Sequence, residues 1–322
     1  MTARLLAALE HRFGDRWHLQ VVGEQFSMRH RTVVASTPRR SGALDPRHVM
    51  NVIGNEFARL GVPRPALLPL RWGRDTDLLV SAIQGLDPWL KDGCPRVLRE
   101  GYLPQPVVRF TGERDDAGVL QDGFLTAFVN LSCVQRVSGP ERHVELFDGW
   151  IAALSALGIH AGRLTIRGDL SVWQRGSVSG VTLFCDCDGV GFSDAVLLWH
   201  TDEPGRMATD IGSGLERLRW LLSAGSWRSA AFGDAPARCS TDTLDAVRTA
   251  TLMVMNGIAP SGRGPRHALH RVLRRIPPEL AAVGLGRLVR HQRAYWSAVG
   301  VPGPPWPVVA TAIEDGVLGY GA

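Results

Sequence analysis

Thr209-Asp210-Ile211-Gly212-Ser213-Gly214-Leu215-Glu216-Arg217-Leu218-Arg219-Trp220-Leu221-Leu222 constrains this chain more than any other stretch. After Gly214, Leu215, Leu218 and Leu222 recur at three- and four-residue spacing, which predicts a helix with one apolar stripe and Arg217 off that stripe. Gly212 and Gly214 stand at its entrance. Without Cβ atoms they let a flat ligand lie directly on the backbone, and a helix N-terminus favours negative charge nearby. Asp210 suits an ammonium group; Arg217 suits a phosphate or the face of a base. A glycine pair before a helix also serves simply to end a strand, so the reading needs support from the rest of the chain.

The 322 residues, 45% of them hydrophobic, suffice for one large or two ordinary domains with a sizeable core. No apolar run approaches the roughly 20 residues of a membrane span, and Met1-Thr2-Ala3-Arg4-Leu5 opens no long signal core. A cytoplasmic protein with no membrane partner is expected. Five cysteines without CxxC spacing predict reduced thiols. Cys185-Asp186-Cys187 reads either as half a metal site or, preferred here, as two thiols on the buried face of a strand, since zinc normally takes four ligands at recognisable spacing. The net charge is +5, yet residues 245–293 carry nine arginines against Asp245 and Glu279. A polyanionic partner such as RNA accounts for that excess; so does an arginine-rich proteome, in keeping with the single lysine, Lys91.

Along the chain, Leu5, Leu6, Leu9 and Phe13 predict a helix over residues 2–13. Residues 17–22 and 31–35 predict strands, and Pro46 opens a helix running to about Leu60. Pro38-Arg39-Arg40-Ser41-Gly42 reads as a loop. Residues 75–80 predict a strand, residues 105–110 and 124–131 an antiparallel hairpin, and residues 140–158 a helix stopped by Gly158. Strands are expected over residues 163–166, 181–188 and 192–200. From Arg263, basic side chains at 263, 266, 267, 270, 271 and 274 line one helical face, and Leu269, Val272, Leu273 and Ile276 line another. That layout fits a helix docked on the protein with its outer side meeting phosphates, or a solvated basic face.

Asp210 through Arg217 resembles the third signature motif of alanyl-tRNA synthetases, which are class II aminoacyl-tRNA synthetases. Further likenesses follow in order: residues 56–61, 75–80 and 85–89 with the first motif, Gln105-Pro106-Val107-Val108-Arg109-Phe110 with the second, Val172-Trp173-Gln174-Arg175-Gly176, residues 192–200, and Asp245-Ala246-Val247-Arg248, Gly257-Ile258-Ala259-Pro260-Ser261 and Leu273-Arg274-Arg275 with the start of a helical tRNA-recognition domain. The resemblance covers about residues 55–276. It implies an α+β fold, a class II synthetase-like antiparallel sheet flanked by helices, with a catalytic domain over residues 1–235 and a small helical domain over residues 236–322. Residues 1–45 form an extension of unassigned role. Relatives continue into editing and C-terminal oligomerising domains that have no counterpart in this sequence.

The resemblance further implies ATP-dependent activation of a small amino acid, alanine first, as an aminoacyl-adenylate. Transfer would follow to tRNA or to another acceptor such as a metabolite, a nucleoside or a carrier protein. It gives the ammonium to Asp210, the side-chain pocket to Trp173 and Val196 with Asp194 and Gly212 beside them, and ATP to Arg109, Phe128, Gly214 and Arg217. Arg109 and Arg217 are the catalytic pair, and Arg263, Arg266, Arg271, Arg274 and Arg275 meet tRNA or another acceptor. Trp173 and Phe128 also read as ordinary core aromatics. The first motif builds a dimer interface in that class, so a homodimer is a further expectation.

Three departures stand out. Phe124-Leu125 replaces a histidine pair, and Asp194 replaces an asparagine, which would repel a substrate carboxylate unless protonated or paired. Thr182 replaces a glutamate that helps hold ATP and Mg2+, with Asp186 or Asp188 as substitutes and the metal ligands left unassigned. The change at Asp194 points to a specificity other than alanine; loss of the histidine pair and the glutamate favours the alternative, a non-catalytic paralogue that binds tRNA or regulates a partner, while retention of Asp210, Arg109, Arg217 and Trp173 opposes it.

Overall fold

The computed structural model describes residues 1–32, 34, 41–116, 118–234, 239–259, 265–282 and 284–319. The chain forms two compact units, one comprising residues 1–68, 82–105 and 130–224, the other residues 69–81, 106–129 and 225–322. The expected cut near residue 235 thus becomes a discontinuous division, with residues 69–81 and 106–129 clustering with the C-terminal helices. Among the described residues no helix is long and apolar enough to cross a membrane.

The first unit holds α1 (Thr2–Phe13), β1 (Trp17–Val22), β2 (Gln25–His30), α2 (Pro46–Arg59) and α3 (Asp87–Leu90). Next in sequence come β3 (Gly101–Val108), β4 (Ala127–Val137), α4 (Pro140–Ala156), β5 (Leu164–Arg175), β6 (Val178–Cys187), β7 (Val190–His200), β8 (Met207–Gly214) and α5 (Leu215–Leu222). The last residues of β3 and the first of β4 are counted in the second unit. The eight strands form one sheet in the order β1-β2-β5-β6-β7-β8-β4-β3, so the expected α+β class with an antiparallel sheet flanked by helices is what the chain adopts.

Alternation assigns the two faces of that sheet. Thr209, Ser193 and Ile211 point to one face, where α4 lies: His143 Nδ1 is 2.7 Å from Thr209 Oγ1, and Trp150 Nε1 donates to Ser193 Oγ at 2.9 Å. α1 and α2 extend this layer, with Phe13 edge-on to Phe147 at 6.0 Å and Phe57 stacked on Trp150 at 6.3 Å. Asp45 caps α2 by accepting from Arg47 N and His48 N, and Pro46 fills the first turn, where a missing N–H costs nothing. On the opposite face, Leu86 and Leu90 pack over Val178, Leu198, Ala208 and Val134.

Two strand expectations shift. The N-terminal hairpin pairs Trp17–Val22 with Gln25–His30, because Gly23, at φ 61°, turns the chain within two residues and closes the register at Val22 and Gln25. Arg31 and Thr32 lie beyond it, and Val33, Ala35 and the expected loop residues 38–40 fall outside the described residues. Residues 75–80 make only the isolated bridge between Arg71 and Leu78. A run of two aspartates and a threonine ahead of Leu78 leaves too few apolar positions to seat a strand. Cys185 and Cys187 are both buried, as core packing requires. A bulge between Cys185 and Asp186, however, breaks the simple alternation between them.

The second unit is helical beyond its strand segments: α6 (Trp227–Phe232), α7 (Thr241–Met255), α8 (Pro265–Leu273), α9 (Pro278–Ala282), α10 (Leu285–Ala298) and α11 (Trp306–Leu318). α7 is its axis, capped by Ser240, whose Oγ accepts from Thr243 N at 3.1 Å, and buried almost throughout. Two of its three ionic residues, Asp245 and Arg248, are wholly enclosed. Arg248 donates to Ala127 O at 2.9 Å with Tyr295 and Trp296 against its guanidinium, and Asp245 accepts from Thr126 N, Thr126 Oγ1 and Arg275.

Candidate functional site

In the first unit, the register places Thr182, Val196, Asp210 and Val134 side by side across β6, β7, β8 and β4. Phe184, Asp194, Gly212 and Ser132 form the next row. All eight positions lie on the face that α4 leaves uncovered. Asp210, Val196, Asp194, Gly212 and Trp173, which are distant in sequence, therefore share one surface. Asp210 is half-buried, and one of its carboxylate oxygens accepts the hydroxyl of Ser132, a side chain only 1% exposed. Ser132 was not legible beforehand, because its role depends on the pairing of β4 with β8.

Trp173 closes one end of this surface. A bulge in β5 after Asp169 turns it toward β6, where its Nε1 donates to Thr182 Oγ1 at 3.0 Å. Gly180, directly opposite, makes room for the indole: a Cβ there would stand 2.5 Å from the ring. Val196 and Trp173 both pack against the apolar cluster of Leu198, Ala208 and Val134, so this surface is continuous with the core. Asp194 is exposed, one pairing step from Gly212 and one from Phe184.

The glycines act differently from expectation. A Cβ on Gly212 would fall 1.8 Å from Leu131 O, so its absence admits the neighbouring strand rather than a ligand. Gly214 caps α5 at φ −75°, a conformation open to any residue. α5 buries Leu215, Leu218, Leu221 and Leu222 and holds Arg217 half-buried, off the stripe.

Thr182 is engaged by Trp173. The two aspartates that might substitute for it are paired with arginines, Asp188 with Arg163 and Asp186 with Arg167. Those residues do not fit a magnesium ion held by this strand, and among the described residues no group of three or more acidic, histidine or cysteine side chains has metal-binding geometry. Behind the sheet, burial raises the Cys133 thiol and the charge of Asp210 adds to that shift. His143 is wholly buried and its desolvated ring is pushed down to about 3, which keeps it neutral.

In the second unit, Arg109 donates its Nε to Val80 O, and its guanidinium lies 5.3 Å from the centre of the Phe128 ring. The two are thus a cation and an aromatic face already in contact. Leu125 is buried and Phe124 half-buried, so the pair that replaces the expected histidines serves packing. Among the arginines expected to meet an acceptor, Arg271 and Arg274 are exposed on or just after α8, with Arg271 over the Phe110 ring at 4.8 Å. Arg275 departs from that set. It points inward to the partly exposed Asp242 and the wholly buried Asp245, because a buried carboxylate needs a charged partner. Arg263 and the side chain of Arg266 lie outside the described residues, as does the turn over residues 260–264.

Compared with models of known protein families, the sequence matches none, and comparison with curated proteins likewise finds no match.

Proposed function

We propose that the chain activates a small amino acid with ATP and passes the acyl group to an acceptor, as its resemblance to the alanyl-tRNA synthetases implies. The observation that carries this reading is the anchored carboxylate of Asp210, set between the half-buried Val196 and the Ser132 hydroxyl on the open face that Trp173 closes. A carboxylate so held receives an ammonium group, and Trp173 with Val196 leaves space for a short side chain. Arg217 and, in the second unit, Arg109 with Phe128 are the groups the resemblance gives to ATP. A carboxylate oxygen of the amino acid attacks the α-phosphorus, an acyl–phosphate bond forms, and the bond to the β-phosphate breaks to release pyrophosphate. Positioning and charge stabilisation carry such a step, with no general base required. The acceptor nucleophile then takes the acyl group, its proton is lost, and AMP leaves. No step is routed through magnesium, since Thr182, Asp186 and Asp188 are otherwise engaged.

Exposed Arg271 and Arg274 favour a polyanionic acceptor such as tRNA. A second reading, a non-catalytic tRNA-binding paralogue, draws on the same engagement of Thr182 and on the buried packing of Leu125. Pyrophosphate exchange across alanine, serine and glycine separates the two. Exchange that Asp210→Ala abolishes, with ATP binding retained, supports activation; absence of exchange together with tight tRNA binding supports the second reading.

A further inference from the structure

The open face of the first unit continues past Asp194 to the N-terminal hairpin. Asp194, Phe184, Arg167, Ser27 and Gln20 follow one another in register across β7, β6, β5, β2 and β1. At about 4.8 Å per strand, Phe184 stands about 10 Å from Gly212 and Gln20 about 15 Å further out. Here the sheet face carries an open hollow of about 410 Å³, within the size range of small-ligand sites, and the hairpin supplies more than half of its lining residues.

The chemistry of that lining is specific. Phe184 is 50% exposed in the interior of a sheet, where an aromatic ring is ordinarily covered. Gln20, Gln25 and Ser27 bring neutral groups that both donate and accept. The lining carries one cation, Arg167, and one anion, Asp169, so the wall has no net charge, and each of the two is already engaged by a neighbour. Arg167 Nε is 2.5 Å from a carboxylate oxygen of Asp186, and Asp169 accepts from Ser171 N at 2.9 Å and from Ser171 Oγ at 2.6 Å. An ionic ligand gains little from walls so neutralised. A flat, uncharged ring with donors and acceptors on its edge gains both stacking and hydrogen bonds, which is how unpaired bases are held on protein surfaces.

We propose that this hollow binds a nucleobase, stacked on Phe184 and read at its edge by Gln20 and Gln25, and that the N-terminal hairpin exists to complete the site. The base belongs either to a free nucleoside or to an unpaired nucleotide of an RNA. Neither source depends on the activation of an amino acid at Asp210.

Ligand-observed NMR titration of the full chain with cytidine, uridine and a uridine trinucleotide tests this. Saturable binding is expected in the wild type and in Asp210→Ala. Phe184→Ala is expected to weaken it about tenfold or more, and Phe184→Trp to retain it, in line with the stacking contribution of one base. Because Phe184 is half exposed, circular dichroism should show both variants folded. Equal affinity for monomer and trinucleotide identifies a nucleoside site; tighter trinucleotide binding identifies an RNA end. Failure of all three probes to saturate at millimolar concentration overturns the proposal, as does wild-type affinity in Phe184→Ala.

Discussion

Ser132 donates to the carboxylate of Asp210, on which the proposed amino-acid recognition rests, and it does so from a neighbouring strand. Removing the hydroxyl takes away one of the contacts that orient Asp210, and a less well-placed charge loses binding energy without disturbing the sheet. Ser132→Ala is therefore expected to raise the KM for the amino acid in pyrophosphate exchange by about tenfold, the value of one charge-assisted hydrogen bond, with the KM for ATP unchanged. A parallel rise in both constants would show that Ser132 serves the fold and not the substrate. On the reverse side, His143 stays neutral down to about 3, while the unfolded chain takes up a proton near 6.5. Its contribution to stability is complete above about 6.5 and is lost as the pH falls toward 3, at up to about 1.4 kcal/mol per pH unit. In urea titrations between pH 7 and 4, His143→Gln should flatten that part of the profile; an unchanged slope would assign the loss to carboxylates. At this scale the sequence announces Asp210 and Trp173 by their motifs. It is silent on Ser132 and Gly180, whose roles come from the residue facing them across a strand pair.

Periodicity made most elements readable. α1, α2, α4 and α5 follow apolar spacing closely, and β6 and β7 follow alternation, because each has one face in the core. Where such a face is lacking the pattern misleads: Arg31 and Thr32 read as the start of a strand, yet the glycine turn at Gly23 closes a hairpin that ends at His30. The bulge in β5 was also invisible, although it decides where Trp173 lies. That geometry makes the indole a wall held from two sides, by Thr182 and by the space over Gly180. Trp173→Ala should open the wall and admit amino acids larger than alanine in the exchange assay, with kcat/KM for alanine reduced. Gly180→Ala should displace the same ring, which steady-state fluorescence reads as an emission shift. Retained discrimination in both variants would assign selectivity to another element.

Across the whole chain, sequence order is a poor guide to which segments fold together. Residues 106–129 precede α7 by more than a hundred positions, yet Thr126 donates both its backbone N–H and its hydroxyl to Asp245, and Ala127 O accepts from Arg248. Both helix residues lie within the Asp245-Ala246-Val247-Arg248 run that the sequence ties to tRNA recognition. They are instead 0% exposed, and serve to hold a distant segment of the second unit to its helical axis. Arg275 completes the cluster by compensating the charge of Asp245. A buried ion group of this kind adds little net stability when intact, but breaking it is costly, because the partner charge and the Thr126 donors are left dry. Asp245→Ala is accordingly expected to destabilise the second unit by about 3–5 kcal/mol in denaturant unfolding. Arg274→Ala, which removes an exposed arginine one position away from Arg275, should stay within about 0.5 kcal/mol of wild type. Equal effects from the two substitutions would mean that segment 106–129 is held by its apolar contacts alone.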